Sequence, residues 1–278
     1  TTFDQFVNEE TDTTIYSFNK FIRLVADSNP NVVEMLFCNP DNYIWVSPLG
    51  QLLLDNRNMF LTQRSFYTFG GYANAQLNRL ENALCRNHKI DKEEHIARSL
   101  ENTIKSFSSR YETFGNDNYI KLHLDNVDDQ GNHYITLDMK LNNYPTRDAT
   151  AMLSDMEPVV RDYDKYAGWR NTKKDDAHLN KHMMHLIRLY DMSVEILTTG
   201  TLHTYRTEDH GVLMDIRAGK YRNEDGTVKK EFYDLLHKLE DELGKAKDNC
   251  KLPLRVDFNK LQEFVVMINK KMLGDIYG

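Results

Sequence analysis

The sequence predicts an α+β protein that is mainly α-helical. Apolar residues recur every three or four positions over most of the 278-residue chain, which is the spacing of amphipathic helices. One region, residues 119–144, instead alternates apolar and polar residues with the period of two that is typical of strands. The length allows one large domain or two. No apolar run is long enough to span a membrane.

The first part of the chain predicts a short strand followed by several helices. The strand is expected at Thr14–Phe18. Ser17 is placed to cap the first helix, because serine side chains accept hydrogen bonds from exposed amides at helix starts. Asn29-Pro30 ends that helix, since proline disfavours a helical residue before it. Tyr43–Val46 predicts another short strand. Further helices are predicted over Asn31–Phe37, Pro48–Leu61, Ser65–Arg86 and Lys92–Tyr111.

Two alternating segments, Tyr119–Asp125 and His133–Leu141, predict a β-hairpin. The residues between them, Asp128–Asn132, contain the Asp, Gly and Asn that are common in turns. The chain then returns to helical spacing, with a charged loop at Gly168–Asp176. Helices are predicted over Asp148–Tyr166 (with a break at Pro158), Glu208–Ala218, Val228–Lys247 and Phe258–Leu273, and one more begins near Asp175 or Asp176.

The helix that ends at Gly200 carries the strongest functional pattern. Lys181, His185 and Arg188 follow one another at i, i+4 and i+7 on one stripe, together with Met192 and Glu195. Arginine offers a planar fork of donors and lysine a point charge, which suits an anionic ligand. The alternative is an ordinary solvated face. The opposite face is apolar and predicts the core contacts, from Met183, Leu186, Ile187, Tyr190, Val194 and Leu197.

The charge balance limits the classes of ligand. Lys and Arg number 35 and Asp and Glu 42, so the formal net charge is −7. A chain of this kind is no general binder of polyanions, and any nucleic-acid contact has to come from a local basic patch. The three cysteines are far apart and odd in number, which favours a reducing cytosol over a disulfide-stabilised fold.

Other residues suggest sites that the sequence leaves open. His178, His182 and His185 can share a helix face and hold zinc, but no further ligand motif is nearby. Asp162 and Asp164 form an Asp-x-Asp, yet their neighbours predict a helix, on which the two carboxylates diverge.

Three further positions have both a functional and an ordinary interpretation. Gly71-Tyr72 can open a helix that binds phosphate or can simply make a turn. Arg206 and Arg217 flank the helix after Thr207 and can bind an anion or form structural ion pairs. Asp12, beside the first strand, is either a metal ligand or a solvated carboxylate.

Several segments together resemble a known family, the predicted nucleotidyltransferases of bacteria and large phages in the DNA polymerase β superfamily, in the branch associated with RNA repair. The resemblance covers about residues 9–245. Its most specific parts are Asn29-Pro30-Asn31 with Glu34, Gly71-Tyr72, the Lys181/His185/Arg188 triplet and Ile216-Arg217-x-Gly219. These lie in the segments TDTTIYSFNKFIRLVADSNPNVVEMLF, GGYANAQLNRL, KHMMHLIRLYDMSVEILTTG and YRTEDHGVLMDIRAGKY.

The resemblance implies two-metal-ion chemistry. In the family, Mg²⁺ ions held by three carboxylates activate a hydroxyl that attacks the α-phosphate of an NTP and releases pyrophosphate. Two of the carboxylates follow a Gly-Ser turn, and this chain contains no Gly-Ser pair. We therefore expect activity if that segment precedes Thr1 in the full-length protein. Asp12 matches the third carboxylate and is the predicted catalytic residue and metal ligand.

The resemblance also assigns substrate contacts and domains. Tyr72, Lys181, His185, Arg188, Arg206 and Arg217 are the predicted substrate-binding residues. Residues 1–46 are expected to be the end of the catalytic domain. Residues 47–278 are expected to form a helical substrate- or nucleotide-binding domain with a hairpin insertion at 119–144. The implied substrates are an NTP, such as ATP, and an RNA end or tRNA, in the cytoplasm (of the host, if phage-encoded).

Three functions follow from these observations. The first is a nucleotidyltransferase that transfers NMP from an NTP to an acceptor, with an RNA end as the expected acceptor. The second is a catalytically inactive helical module that binds a nucleotide or a partner protein. The third is a metal-dependent hydrolase that uses the His178/His182/His185 face.

Overall fold

The computed structural model describes residues 4–86, 98, 119–127, 133–154, 157 and 176–277. The predicted fold class is confirmed, because these residues are mainly helical and form two small antiparallel sheets. The strands are β1 (Gln5–Asn8), β2 (Thr13–Tyr16), β3 (Tyr119–Val127) and β4 (His133–Lys140). The helices are α1 (Phe18–Ala26), α2 (Pro30–Leu36), α3 (Pro48–Asp55), α4 (Arg64–Arg86), α5 (146–154), α6 (Asp176–Thr199), α7 (His210–Arg217), α8 (Lys230–Asp248) and α9 (Phe258–Tyr277).

The chain divides into two compact units. One joins Thr1–Leu80 to Asp176–Gly278, and the other is Glu81–Asp175. The predicted boundary after residue 46 stays a prediction. None of the helices in the described ranges is both long and apolar enough to cross a membrane.

The first unit begins with the β1–β2 hairpin, in which Gln5 lies opposite Tyr16 and Asn8 opposite Thr13. Ser17 caps α1 as predicted, because its side chain accepts a hydrogen bond from the Lys20 amide. Asn29 caps α2 in the same way, accepting from the Val32 amide. Both helix starts depend on local side-chain chemistry, although only the Ser17 cap was predicted and α2 begins one residue before the predicted Asn31.

The strand predicted at Tyr43–Val46 is wrong. This segment is a loop that follows a short 3₁₀ turn at Pro40–Asn42, and Ile44 and Trp45 are exposed. A strand requires a neighbour to accept its backbone hydrogen bonds, and the described sheets contain only two strands each. The helix predicted from Pro48 is also shorter than expected. It ends at Asp55, because the Asn56 side chain donates to the Leu52 carbonyl.

Helix α6 is the centre of the first unit and packs against α7 and α8. Gly200 follows it with a φ of 71°, so it ends the helix as predicted. One assignment is wrong, because Met192 is buried rather than part of a polar stripe. The cause is that α6 is covered on more than one side. Its buried residues are Leu179, Asn180, Met183, Leu186, Ile187, Leu189, Tyr190, Met192, Ser193, Ile196 and Leu197.

The second unit contains the predicted hairpin. Strands β3 and β4 pair with Tyr119 opposite Lys140, and the register shifts between Leu124 and Val127. Ile120 and Met152 of α5 are buried in one cluster. The described part of the helix predicted over Asp148–Tyr166 is helical. The remaining predictions for this region lie outside the described residues, namely Asp128–Asn132, Asp162/Asp164, nearly all of Lys92–Tyr111 and most of Gly168–Asp176.

Candidate functional site

Helices α2, α4 and α6 surround a cleft of about 780 Å³ within the first unit. This volume is within the usual range for small-molecule sites. Helix α2 contributes Asn31 and Glu34, and α6 contributes His185, Arg188 and Leu189. The side formed by α4 consists of Tyr67, Thr68, Gly71, Tyr72, Ala75, Gln76 and Arg79.

Polar contacts set the register between α4 and α6. The Tyr190 hydroxyl is 3.1 Å from Asn74 Oδ1, and the Ser193 hydroxyl donates to the backbone carbonyl of Ser65. His182 Nδ1 lies 2.8 Å from Gln76 Oε1. Residue numbers rise along α6 as they fall along α4, so the two helices are antiparallel. His185 and Arg188 consequently face the middle of α4.

The central charged contact joins Arg188 to Glu34. Arg188 Nη2 lies 3.1 Å from one carboxylate oxygen of Glu34 and 3.3 Å from the other. The Nε of Arg188 is buried and has no hydrogen-bond partner among the residues that the structure describes. Burial raises the pKa of Glu34, and the neighbouring Arg188 only partly opposes that effect. The guanidinium is therefore held at the cleft with an unsatisfied donor.

His185 lies one turn before Arg188 in a setting that disfavours its cationic form. Burial lowers the pKa of His185 to about 4, with further lowering by the charges of Arg188, Lys181 and Arg217. The imidazole is consequently neutral at pH 7. A neutral imidazole has one donor and one acceptor nitrogen, so it can bind an uncharged polar group as well as a phosphate oxygen.

Tyr72 is connected to the start of α2. The Asn29 side-chain amide donates to the Tyr72 hydroxyl at 3.1 Å, while its oxygen caps α2. The Tyr72 side chain remains 40% exposed. Gly71 and Tyr72 lie inside α4, so the interpretation of this pair as a phosphate-binding helix start is wrong.

The other predicted residues lie around the cleft or away from it. Lys181 and Arg217 are exposed and are not among the lining residues, although both are close enough to lower the pKa of His185. Arg206 is mostly buried and forms ion pairs with Glu195 and Asp209. These contacts match the structural interpretation of Arg206, and its role in substrate binding stays a prediction.

The predicted metal ligand Asp12 is exposed in the turn between β1 and β2, with a φ of 48°. Within the described ranges, no three His, Cys, Asp or Glu side chains are grouped so that they could hold a metal ion. This applies equally to the described residues His178, His182 and His185. One exposed carboxylate does not make a two-magnesium site. Asp12 is at most one ligand of such a site, and that role stays a prediction.

The sequence indicated Asn31 and Glu34 only within the family resemblance, and it did not predict that these two residues and Tyr67 line a cleft. A usable pattern exists on α4. Tyr72, Gln76 and Arg79 have the same i, i+4, i+7 spacing as Lys181, His185 and Arg188 on α6. Two such polar stripes predict facing walls only when the helices are known to pack side by side.

Comparison with known proteins finds a family match. Residues 2–100 match the model of the family described as RlaP, the RNA repair pathway DNA polymerase beta family. The matched segment includes α2 and the part of α4 that lines the cleft. No curated protein and no solved structure matches the chain. The match agrees with the resemblance seen in the sequence and supports a DNA polymerase β-like nucleotidyltransferase family member.

Proposed function

We propose that this protein is a nucleotidyltransferase that transfers NMP from an NTP to an RNA end. The cleft between α2, α4 and α6 holds a phosphate group of one of the substrates. The observation that carries the proposal is Arg188, which Glu34 holds at the cleft and whose Nε has no partner within the described part of the chain. The family match supplies the reaction class.

The contact between Arg188 and Glu34 favours a functional role over a structural one. Burial raises the pKa of Glu34 more than Arg188 lowers it, so the ionised carboxylate is less stable here than in water. Pairs of this kind are weak contributors to stability. A phosphate oxygen is an alternative partner for the same guanidinium, which offers several N–H donors in one plane.

The surrounding charges favour an anion at this place. The chain as a whole is acidic, with a formal charge of −7. Arg79 and Arg188 line the cleft, and Lys181 and Arg217 are close enough to act on His185. A local group of cations can attract a phosphate even when the net charge of the protein is negative. ATP as donor, Mg²⁺ as its counterion and RNA or tRNA in the cytoplasm as acceptor belong to this proposal.

The test is calorimetric titration of an NTP with Mg²⁺, and separately of a short RNA, into the full-length protein and its variants. Arg188→Ala should weaken binding of at least one ligand by roughly one to two orders of magnitude, because a charge-assisted hydrogen bond contributes about 1.5–3 kcal/mol. Arg188→Lys should restore only part of the affinity if the contact is a fork.

Arg23→Ala is the matched control, since Arg23 is exposed and forms only a long surface ion pair with Asp4, at 3.6 Å. Equal affinities of wild type and Arg188→Ala for both ligands would overturn the proposed cleft function. So would a loss of binding that only follows a fall in melting temperature. Nucleotide transfer itself is measured as the extension of a labelled RNA by one residue with release of pyrophosphate.

A further inference from the structure

The cleft offers more than a phosphate contact, because its α4 wall presents two exposed aromatic rings. Resting on the proposed function, we propose that the cleft is the site for the acceptor RNA, and that Tyr67 and Tyr72 stack on the bases of neighbouring unpaired nucleotides. The substrate class is therefore a single-stranded RNA end, and Tyr67 is a specificity-determining residue for it.

Tyr67 carries most of this inference. It lines the cleft and is 65% exposed, so its ring is accessible to a ligand in the cleft. Phe66 holds it from one side in an edge-on contact with ring centroids 5.0 Å apart. The Lys247 ammonium lies 4.5 Å from the Phe66 centroid and 5.5 Å from that of Tyr67. The ring is supported by neighbours and still accessible, as a stacking platform has to be.

Tyr72 provides the second ring. Its hydroxyl is fixed by the Asn29 amide, so its orientation is set before any ligand arrives. The two tyrosines are five residues apart on α4, or about 7.5 Å along the helix axis. This separation suits two successive nucleotides of an extended strand better than the single base of an NTP.

Between the two tyrosines and after them, the α4 wall of the cleft carries small side chains. Gly71 and Ala75 line the cleft with little or no side chain, and a Cβ added at Gly71 would meet nothing within 4 Å. The glycine is thus not required by packing, and it leaves open space next to Tyr67 and Tyr72. From Tyr67 to Arg79 the wall runs for about 18 Å, with the Gln76 amide along it.

The charges of the lining favour RNA over an NTP. Arg79 and Arg188 are the arginines of the cleft wall, and Glu34 offsets one of them. His185 adds little positive charge at neutral pH. A triphosphate carries several negative charges close together, whereas an RNA strand carries one at each linkage. Spaced single charges beside aromatic rings are the pattern of single-strand recognition.

The experiment measures fluorescence anisotropy of a labelled single-stranded hexaribonucleotide with the full-length protein. Tyr67→Ala should weaken RNA binding by roughly 5- to 150-fold, the effect of losing one stacked base. Tyr67→Phe should bind nearly as wild type, since it keeps the ring. Tyr205→Ala, a change of another exposed tyrosine outside the cleft lining, should have no effect. An abasic strand should bind wild type more weakly, and NTP affinity should be unchanged in Tyr67→Ala.

The inference is overturned if Tyr67→Ala binds RNA like wild type, or if abasic or fully double-stranded RNA binds as tightly as the single strand. It is also overturned if Tyr67→Ala weakens NTP binding as much as RNA binding, which would assign the cleft to the NTP. Arg188→Ala in the same assays separates the two proposals. If Tyr67→Ala has no effect but Arg188→Ala still weakens binding of RNA or NTP, only the stacking role fails. If Arg188→Ala weakens binding of neither ligand, the proposed function of the cleft fails as well.

Discussion

At the scale of single residues, Glu34 is the natural competitor of the proposed ligand. Its carboxylate contacts Arg188 through both oxygens, so a phosphate and Glu34 compete for the same guanidinium. The raised pKa of Glu34, caused by burial, shows that this carboxylate is costly to keep ionised at the site. We infer that the pair holds the guanidinium in place until substrate arrives.

Glu34→Gln tests this role of the carboxylate. The amide keeps the size of the side chain and can still accept from Arg188, but it no longer opposes an anion. We expect the affinity for the phosphate-bearing ligand to rise roughly two- to fivefold, because a partly exposed ion pair contributes about 0.2–1 kcal/mol. Calorimetry on wild type and variant at equal folded fraction measures it. A lower affinity in the variant would contradict this prediction, because it would mean that the loss of a well-positioned Arg188 outweighs the removal of the competing charge.

At the scale of elements, the sequence indicates features that depend on residues close together in the chain. Ser17 and Asn29 are caps whose partners lie three residues away, and the β3–β4 strands are neighbours in the chain. Tyr43–Val46 has the composition of a strand, but a strand also needs a distant partner, which composition does not report. Met192 was misassigned for a similar reason, since helix periodicity does not tell how many faces are covered.

The site shows the same limit. The spacing of His185 and Arg188 indicated that they share a face, and both line the cleft. Glu34 and Tyr67 come from α2 and α4, and only the packing of three helices brings them together. The neutral state of His185 depends on burial and on three cations, so residue spacing alone could not indicate it.

The end of α7 gives a prediction on helix termination. Gly219 has a φ of 83°, and a Cβ there would lie 2.9 Å from the side-chain nitrogen of the buried Asn180. Gly219→Ala should therefore lower the unfolding free energy by about 1–3 kcal/mol, through backbone strain and this close contact. Chemical denaturation measures the change.

Gly211 offers the matched control within the same helix. A Cβ at Gly211 meets nothing within 4 Å, so Gly211→Ala should leave stability unchanged or raise it by about 0.4–1 kcal/mol. A Gly219→Ala variant as stable as wild type would show that the chain after α7 shifts to accommodate a side chain.

At the scale of the whole molecule, two partly buried titratable groups on α6 oppose each other in their effect on stability. Burial raises the pKa of Asp191 to about 7, and the charges of Asp209 and Glu242 act in the same direction against Arg206 and Lys238. The pKa of His185 is lowered to about 4. In the folded state, Asp191 therefore binds its proton more tightly than in the unfolded state, and His185 binds its proton less tightly.

The signs of the two contributions follow from proton linkage. Between pH 3.8 and about 7, the folded state holds the Asp191 proton more often than the unfolded state does, so stability falls as the pH rises. Between about 4 and 6.5, the unfolded state holds the His185 proton more often, so stability rises with pH. The two slopes partly cancel in the wild type over the shared range.

Single substitutions should uncover each slope. Asp191→Asn removes the contribution to stability that falls as the pH rises, so this variant should be more stable than wild type at pH 8, by up to about 3 kcal/mol. Because the His185 contribution remains, the variant should also gain stability as the pH rises from 4.5 to 6.5. His185→Gln leaves the Asp191 contribution and should therefore lose stability over the same range. The gain in Asp191→Asn should be the smaller of the two changes, about 1–2 kcal/mol, because it comes from a half-exposed imidazole that is screened by water. Urea unfolding at pH 4.5, 6.5 and 8 measures all three proteins. Parallel stability profiles would show that neither group keeps its shifted pKa in the folded protein.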